Sequence, residues 1–344
     1  MIYIYAAISL LIFIFFLIKF CHKYLILENY RGDKHQKYTS SQHTPLIGGI
    51  ICLLFIFFFI NLNLVIKLFL SSIFIVGILS DLKILVSPIK RLLLQLVIII
   101  FFLHALDVHL VSTKLLFLDV ILKNTLFSFF FTAFCLLILI NGTNFIDGTN
   151  GNVLIYYLVI SLLIFILKTN ELQTISYENI FLIIELIFIL LVFNYSNKLY
   201  LGDSGSFLFG SLFGLILVQL YLENISKISS LFIVHVLWYP AFENLFSILR
   251  KFYFSKSPTQ ADNNHLHQLL YFFLMKKTSL KKTIVNNSVS FIINIFNFTT
   301  IFIVSTKPHH TQMIVLLILF NVISYIVIYL TLFKFKKNYL KKIN

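Results

Sequence analysis

Charge is what this chain has least of. Asp, Glu, Lys and Arg together make up 12% of its 344 residues, and only 13 side chains are acidic. The remainder is 59% hydrophobic, far above the roughly 45–50% of a soluble domain, so a water-soluble globular fold is excluded. Cysteine is also sparse: Cys21, Cys52 and Cys135 show no metal-ligand spacing, and two of them sit inside apolar runs. That excludes a disulfide framework and leaves them as packing residues. No repeat period and no soluble second domain is visible. No basic stripe with interleaved aromatics stands clear of the apolar runs, so the formal net charge of +14 does not signal nucleic acid.

What the chain does have is apolar runs, at about 2–20, 46–61, 64–79, 92–106, 125–141, 152–167, 179–194, 206–222, 230–249, 288–305 and 312–333. A span needs about 20 predominantly apolar residues, with tilting or local thinning allowed for the shorter ones. The expected fold class is therefore an all-α polytopic membrane protein of about 11 transmembrane helices, forming one integral-membrane domain over 1–344. The first run lacks a basic leader and a small-residue cleavage site, and is expected to be retained as the first helix.

Loop charges set the orientation. With the N-terminus outside, only Lys67, Lys114, Lys123, Lys168, Lys227 and Lys307 of the 27 Lys and Arg fall outside. The other 21 are inside, which is the positive-inside pattern. The largest inner loop is expected over 250–286. The same parity collects the most polar Gly- or His-containing stretches on the inner side: Thr44 to Gly49, Ser80 to Gln95, Asn141 to Asn152, Leu201 to Ser206 and Asp262 to Gln268. A composite site at the cytoplasmic membrane surface is expected.

The most conspicuous of these stretches is NGTNFIDGTNGN, Asn141 to Asn152. Four Asn, one Asp and three Gly would each cost several kcal/mol unpaired in hydrocarbon, so the segment must face water or a ligand. Asn144 and Asp147, three apart, share a face if the segment is helical. Asp81, Asp147 and Asp203 each stand at the inner end of a span. Grouped carboxylate oxygens suit Mg²⁺, which in turn holds phosphates. The turn Gly202 to Ser206 opens the next helix, whose amides favour an anion, although Asp203 and Ser204 would also serve as ordinary helix caps. Lys83, Lys90 and Arg91 follow Asp81 and could neutralise phosphate, Arg bidentately, or simply anchor the inner face. His265 and His267 flank Leu266. On a helix they would point to different faces, so a two-His metal site is not expected, and a phosphate or sugar contact from an ordered loop fits better. Glu185 and Glu243 lie within spans and should face the bundle interior or a polar cavity, Glu243 pairing with Arg250.

In this order the stretches resemble the polyprenyl-phosphate N-acetylhexosamine-1-phosphate transferases, over about Lys34 to Leu270. Thr44-Pro45 with Gly48-Gly49 is similar to the family's TPxxGG. Ser80-Asp81 with Arg91 and Gln95 is similar to its Asp-Asp segment and RxxxQ. Asn144 to Gly148 matches NxxDG, Leu201 to Ser206 matches LGDxGS, and His265-Leu266-His267 resembles the histidine motif. The chain departs from the family at Ser80, where the first Asp of the pair is usual, at Asn150, where a second Asp is usual, and at Gln268, where a further His often stands. The resemblance implies transfer of N-acetylhexosamine-1-phosphate from a UDP-sugar such as UDP-GlcNAc to undecaprenyl phosphate, with UMP released. This would be the first membrane step of O-antigen or other surface-polysaccharide (lipopolysaccharide) synthesis at a bacterial inner membrane. It implies Mg²⁺, with Mn²⁺ as a substitute, held by Asp203 and Asp147. Asp81, Asp147 and Asp203 would be catalytic, and Thr44, Lys83, Arg91, Asn144, Asn150, His265 and His267 substrate-binding. Membrane lipid is the surroundings, the hydrocarbon tail would lie in an apolar groove between spans, and a homodimer is left open. Two alternatives remain: the phospho-MurNAc-pentapeptide transferase branch, and a transporter or lipid flippase, although a flippase would place its charges near the midplane on broken, repeated helices.

Overall fold

In the computed structural model of the chain, residues 2–24, 26–27, 44–169, 176–253 and 263–342 are described. Fourteen helices account for nearly all of them: α1 (Ile2–Tyr24), α2 (Gly48–Phe59), α3 (Leu64–Asp81), α4 (Pro88–Leu106), α5 (Leu116–Leu122), α6 (Thr125–Ile146), α7 (Asn152–Thr169), α8 (Tyr177–Tyr195), α9 (Gly202–Glu223), α10 (Ser230–Val236), α11 (Trp238–Tyr253), α12 (Leu266–Lys277), α13 (Lys282–Ser305) and α14 (Thr311–Lys341). The only extended pairing among the described residues is an isolated parallel bridge between Leu46 and Tyr200. The all-α reading of the sequence therefore holds.

Eight of these helices are long and apolar enough to cross a bilayer, and α10 with α11 passes as a ninth span bent by 74°. Two shorter apolar helices, α2 and α7, complete the set of runs read from the sequence. Polar side chains start several of the spans. Asn63 accepts from the Val65 amide, Asn124 from that of Phe127, and Ser176 from that of Asn179, each such cap stabilising its helix by about 1 kcal/mol. Pro88 sits in the first turn of α4, where its missing N–H costs nothing. Within 250–286, expected as one loop, the first residues continue α11, and α12 and the start of α13 are also helical. Asp262, Lys34 and the Lys168 side chain lie outside the description.

Helix α9 is the axis of the bundle. Apart from its first turn it is buried almost all round, as expected of a helix that is apolar on every face, and α2, α3 and α6 pack along it. Its Gly205, Ser206, Gly210, Ser211 and Gly214 keep its surface low, so neighbouring backbones approach closely. Gly77 does the same for α3: a Cβ there would overlap Ser204 of α9.

Candidate active site

The start of α9 meets the ends of α3 and α6 and the first turn of α4, with the start of α12 set against the turn after α6, and several of the residues singled out in the sequence gather there. Gly202 takes a left-handed φ of +72°, and an added Cβ would lie 2.7 Å from Asp81 Oδ2. Glycine thus permits both the turn and the approach of Asp81. Asp81 Oδ1 accepts from the Asp203 amide at 2.8 Å, while its Oδ2 accepts from the Ser204 amide at 3.0 Å and the Ser204 hydroxyl at 2.7 Å. A carboxylate from the end of α3 therefore caps α9 from outside, satisfying two of its opening amides and complementing its positive end.

Asp203 faces α4. Its Oδ2 receives the Ser80 hydroxyl at 2.5 Å and an Arg91 guanidinium nitrogen at 2.6 Å, and that same nitrogen donates to Ser80 Oγ at 2.5 Å. Arg91 lies in the first turn of α4, where a cation opposes the helix dipole. Its carboxylate partner on α9 explains the placement. Ser80, where a carboxylate is usual in the resembling family, fills the corner of this triangle with a neutral hydroxyl.

Asp147 follows the last residue of α6, because Asn141 to Ile146 of the polar stretch are helical and only the residues after them form the turn. Its Oδ2 accepts from Ser206 at 2.8 Å. Burial pushes this half-buried carboxyl up to about 7, the Ser206 hydroxyl opposes the rise, and the charges of Asp203 and Asp81 add to it. All three carboxylates thus share one electrostatic environment. Among the described residues, however, no three His, Cys, Asp or Glu side chains gather as a metal cluster.

The histidines sit beside Asp147. His265 has an extended backbone and precedes α12, whereas His267 is within it. Their rings consequently stack, with centroids 5.8 Å apart and planes 11° apart, rather than pointing to different faces. Gln268, standing where the resembling family often has His, accepts from the His265 amide at 3.1 Å and so caps the helix that carries the pair. His267 is 1% exposed. Neither of its ring nitrogens has a hydrogen-bond partner among the described residues, and the ring lies where a Cβ on Gly148 would fall. Burial, with His265 adding to it and Glu243 opposing, pushes His267 down to about 3, so it is neutral at neutral pH.

The remaining sequence candidates fall at the rim. Lys83, in the turn after α3, has a left-handed φ of 59° and is exposed, as is Lys90. Asn144, half-buried, supplies the carbonyl that accepts from the Asp147 amide. The Thr44 hydroxyl donates to the Asn197 carbonyl at 3.0 Å. Asn150 spends its amide nitrogen on Asn197 Oδ1 at 2.8 Å and Asn287 Oδ1 at 3.2 Å, and its backbone N–H on Asn286 Oδ1 at 2.8 Å, so it braces the loops. The sequence reading missed those α13 asparagines, although the adjacent pair Asn286-Asn287 at the mouth of the run 288–305 was the available signal. It also paired Glu243 with Arg250. The structure instead gives Glu243 to His265 and Tyr325, because α14, remote in sequence, packs over this region. Glu185 is half-buried, and its Oε2 is buried without a partner among the described residues.

A cavity of about 330 Å³ lies elsewhere, lined by Asn61, Asn63, Ser176, Gln219 and Glu223 among others. It sits at the opposite ends of α3 and α9, about 30 Å along α9 from Asp203 at 1.5 Å per residue, and plays no part in the carboxylate site.

Residues 63–221 match the model of glycosyl transferase family 4. That stretch, which holds Ser80, Asp81, Arg91, Asp147 and Asp203, is similar to this family of polyprenyl-phosphate sugar-1-phosphate transferases. Its apolar helices make the chain a multi-pass membrane protein. No curated protein matches the chain.

Proposed function

We propose that the chain transfers N-acetylhexosamine-1-phosphate from a UDP-sugar to undecaprenyl phosphate at the cytoplasmic face of a bacterial inner membrane, opening a surface polysaccharide such as the O-antigen. The observation that carries this reading is the convergence of Asp203, Asp147 and Arg91 on the amide end of α9. Carboxylates beside a guanidinium and a positive helix end suit a diphosphate better than an uncharged ligand. An acceptor phosphate oxygen attacks the β-phosphorus of the donor, the bond from that phosphorus to the bridging oxygen breaks, and UMP leaves with the electron pair. Arg91 sits where it can neutralise phosphoryl oxygens as charge shifts, and the α9 amides add to this. Ser80 carries no charge, and an acceptor phosphate with a second pKa of about 6 is already largely a dianion, so no base is required at that position.

Asp203 and Asp147 are the residues that would hold Mg²⁺. Two hard carboxylates without a third protein ligand suit an ion that keeps several waters and takes substrate phosphates as its other ligands. The ion would supply charge neutralisation at the diphosphate. Membranes containing the protein, incubated with undecaprenyl phosphate, Mg²⁺ and radiolabelled UDP-N-acetylhexosamines, should form labelled lipid and UMP together. Labelling from UDP-MurNAc-pentapeptide alone would move the protein to the peptidoglycan branch, and no labelling from any donor would overturn the proposal.

A further inference from the structure

The matched region ends at residue 221, yet the site is finished by residues beyond it. Glu243 on α11 is 1% exposed, a costly place for a carboxylate unless its oxygens are engaged. Oε1 lies 2.9 Å from His265 Nδ1, and Oε2 accepts from the Tyr325 hydroxyl of α14 at 2.7 Å. On its other side the His265 ring meets Phe145, centroids 5.4 Å apart, two residues before Asp147. His265 is therefore wedged between Glu243 and the end of α6, with His267 stacked on it and set against Gly148.

Helix α14 holds this arrangement along one stripe. Four residues after Tyr325, Tyr329 accepts from Arg250 at 2.9 Å, and Arg250 also donates to the Asn264 carbonyl. Seven residues further, Lys336 donates to the Asn263 carbonyl at 2.7 Å and to Asn264 Oδ1 at 2.9 Å. Steps of four and seven return to the same helix face. One face of α14 thus grips both the carboxylate behind His265 and the backbone leading into it.

We propose that Glu243, held by Tyr325, is a positioning residue: it keeps His265 as an Nδ1–H donor in one orientation and so seats the histidine pair against Asp147 and Gly148. A carboxylate at Nδ1 makes that nitrogen the proton carrier and leaves Nε2 as the basic one. The consequence for turnover rests on the transferase reading above, whereas the consequence for the ring does not.

The test uses the full-length protein in detergent or nanodiscs. In ¹⁵N-histidine-labelled protein, His265 should show the Nδ1–H pattern, and Glu243→Gln should change it to the other tautomer or a mixture. Tyr325→Phe should shift it less, and Glu243→Asp should restore much of it. With substrates, Glu243→Gln should lower kcat by about 10²-fold with little change in KM, the size expected of a misplacement near 1 Å, and Tyr325→Phe should lower it several-fold. If no donor is turned over, the labelled spectra still decide the proposal. An unchanged His265 signal in both Glu243→Gln and Tyr325→Phe overturns it. So does a Glu243→Gln loss of kcat that Glu243→Asp fails to relieve while the spectrum stays wild-type.

Discussion

Asp81 and Asp203 are neighbours of like charge with different work, and replacing each by its amide should separate them. Asp81 accepts three bonds from the start of α9, at 2.8, 3.0 and 2.7 Å, and is nearly buried. A hydrogen bond to a charged group contributes about 1.5–3 kcal/mol, and a buried donor left unsatisfied costs about 1–3. Asparagine can keep its oxygen toward Ser204, but its NH₂ then faces the Asp203 amide. One charge-assisted bond is lost, one N–H is orphaned and two bonds weaken toward neutral strength. The sum is about 2–5 kcal/mol. Asp203, by contrast, makes a partly exposed ion pair with Arg91, the side chains being 27% and 22% exposed, and such pairs contribute about 0–1 kcal/mol. Thermal unfolding of the purified protein should therefore show Asp81→Asn melting well below wild type and Asp203→Asn close to it. In the transfer assay Asp203→Asn should still lose at least about 10²-fold. Wild-type melting of Asp81→Asn, beside a marked loss in Asp203→Asn, would show that the cap assignment is wrong; near wild-type turnover of Asp203→Asn would remove it from the reaction.

Three further outcomes are expected. Ser80→Asp places a second carboxylate beside Arg91, which can serve both, so the rate should change less than about tenfold, below the 10²–10⁴-fold of a general base; a thousandfold gain with a shifted acidic limb of the pH profile would mean a base had been missing. Gly148→Ala drives a methyl into the His267 ring, and a folded variant with activity down by about 10²-fold is expected, whereas full activity would detach the histidine pair from the site. For topology, cysteine at exposed position 227 should react with an impermeant external reagent and one at exposed position 198 only after permeabilisation, the reverse pattern contradicting the orientation read from loop charge.

Much of the architecture was legible because apolar length in a bilayer allows few solutions. The Asn141 to Asn152 stretch was legible as one that must leave hydrocarbon, because so many polar groups cannot sit there unpaired. That its first half would be helical was not, since an α6 already begun continues through Asn and Gly at modest cost when α9 and α11 pack against it. The position of Asp203 at the opening of a helix was readable from the turn around it. The capping role of Asp81 was not, because it depends on α3 and α9, 122 positions apart, meeting end to end. Glu243 was recognisable as too costly to face lipid. Its partner was misread, because nearness in sequence pointed to Arg250 while the fold supplied His265 and Tyr325. The 74° bend between α10 and α11 was hidden inside a single apolar run, since hydropathy carries no information about direction.

The central position of α9 sets an order on the making of the site. Its main packing partners α2, α3 and α6 precede it in the chain, so most of its surroundings have been made when α9 emerges during synthesis. Ser80, Asp81, Arg91, Asp147 and Asp203 can come together at that moment. Glu243, His265, His267 and Tyr325 emerge afterwards, and the histidines come to rest against Phe145 and Gly148 beside a cluster already in being. In chain order the carboxylate cluster is thus complete before the elements that brace the histidines, with α14 serving as the latch.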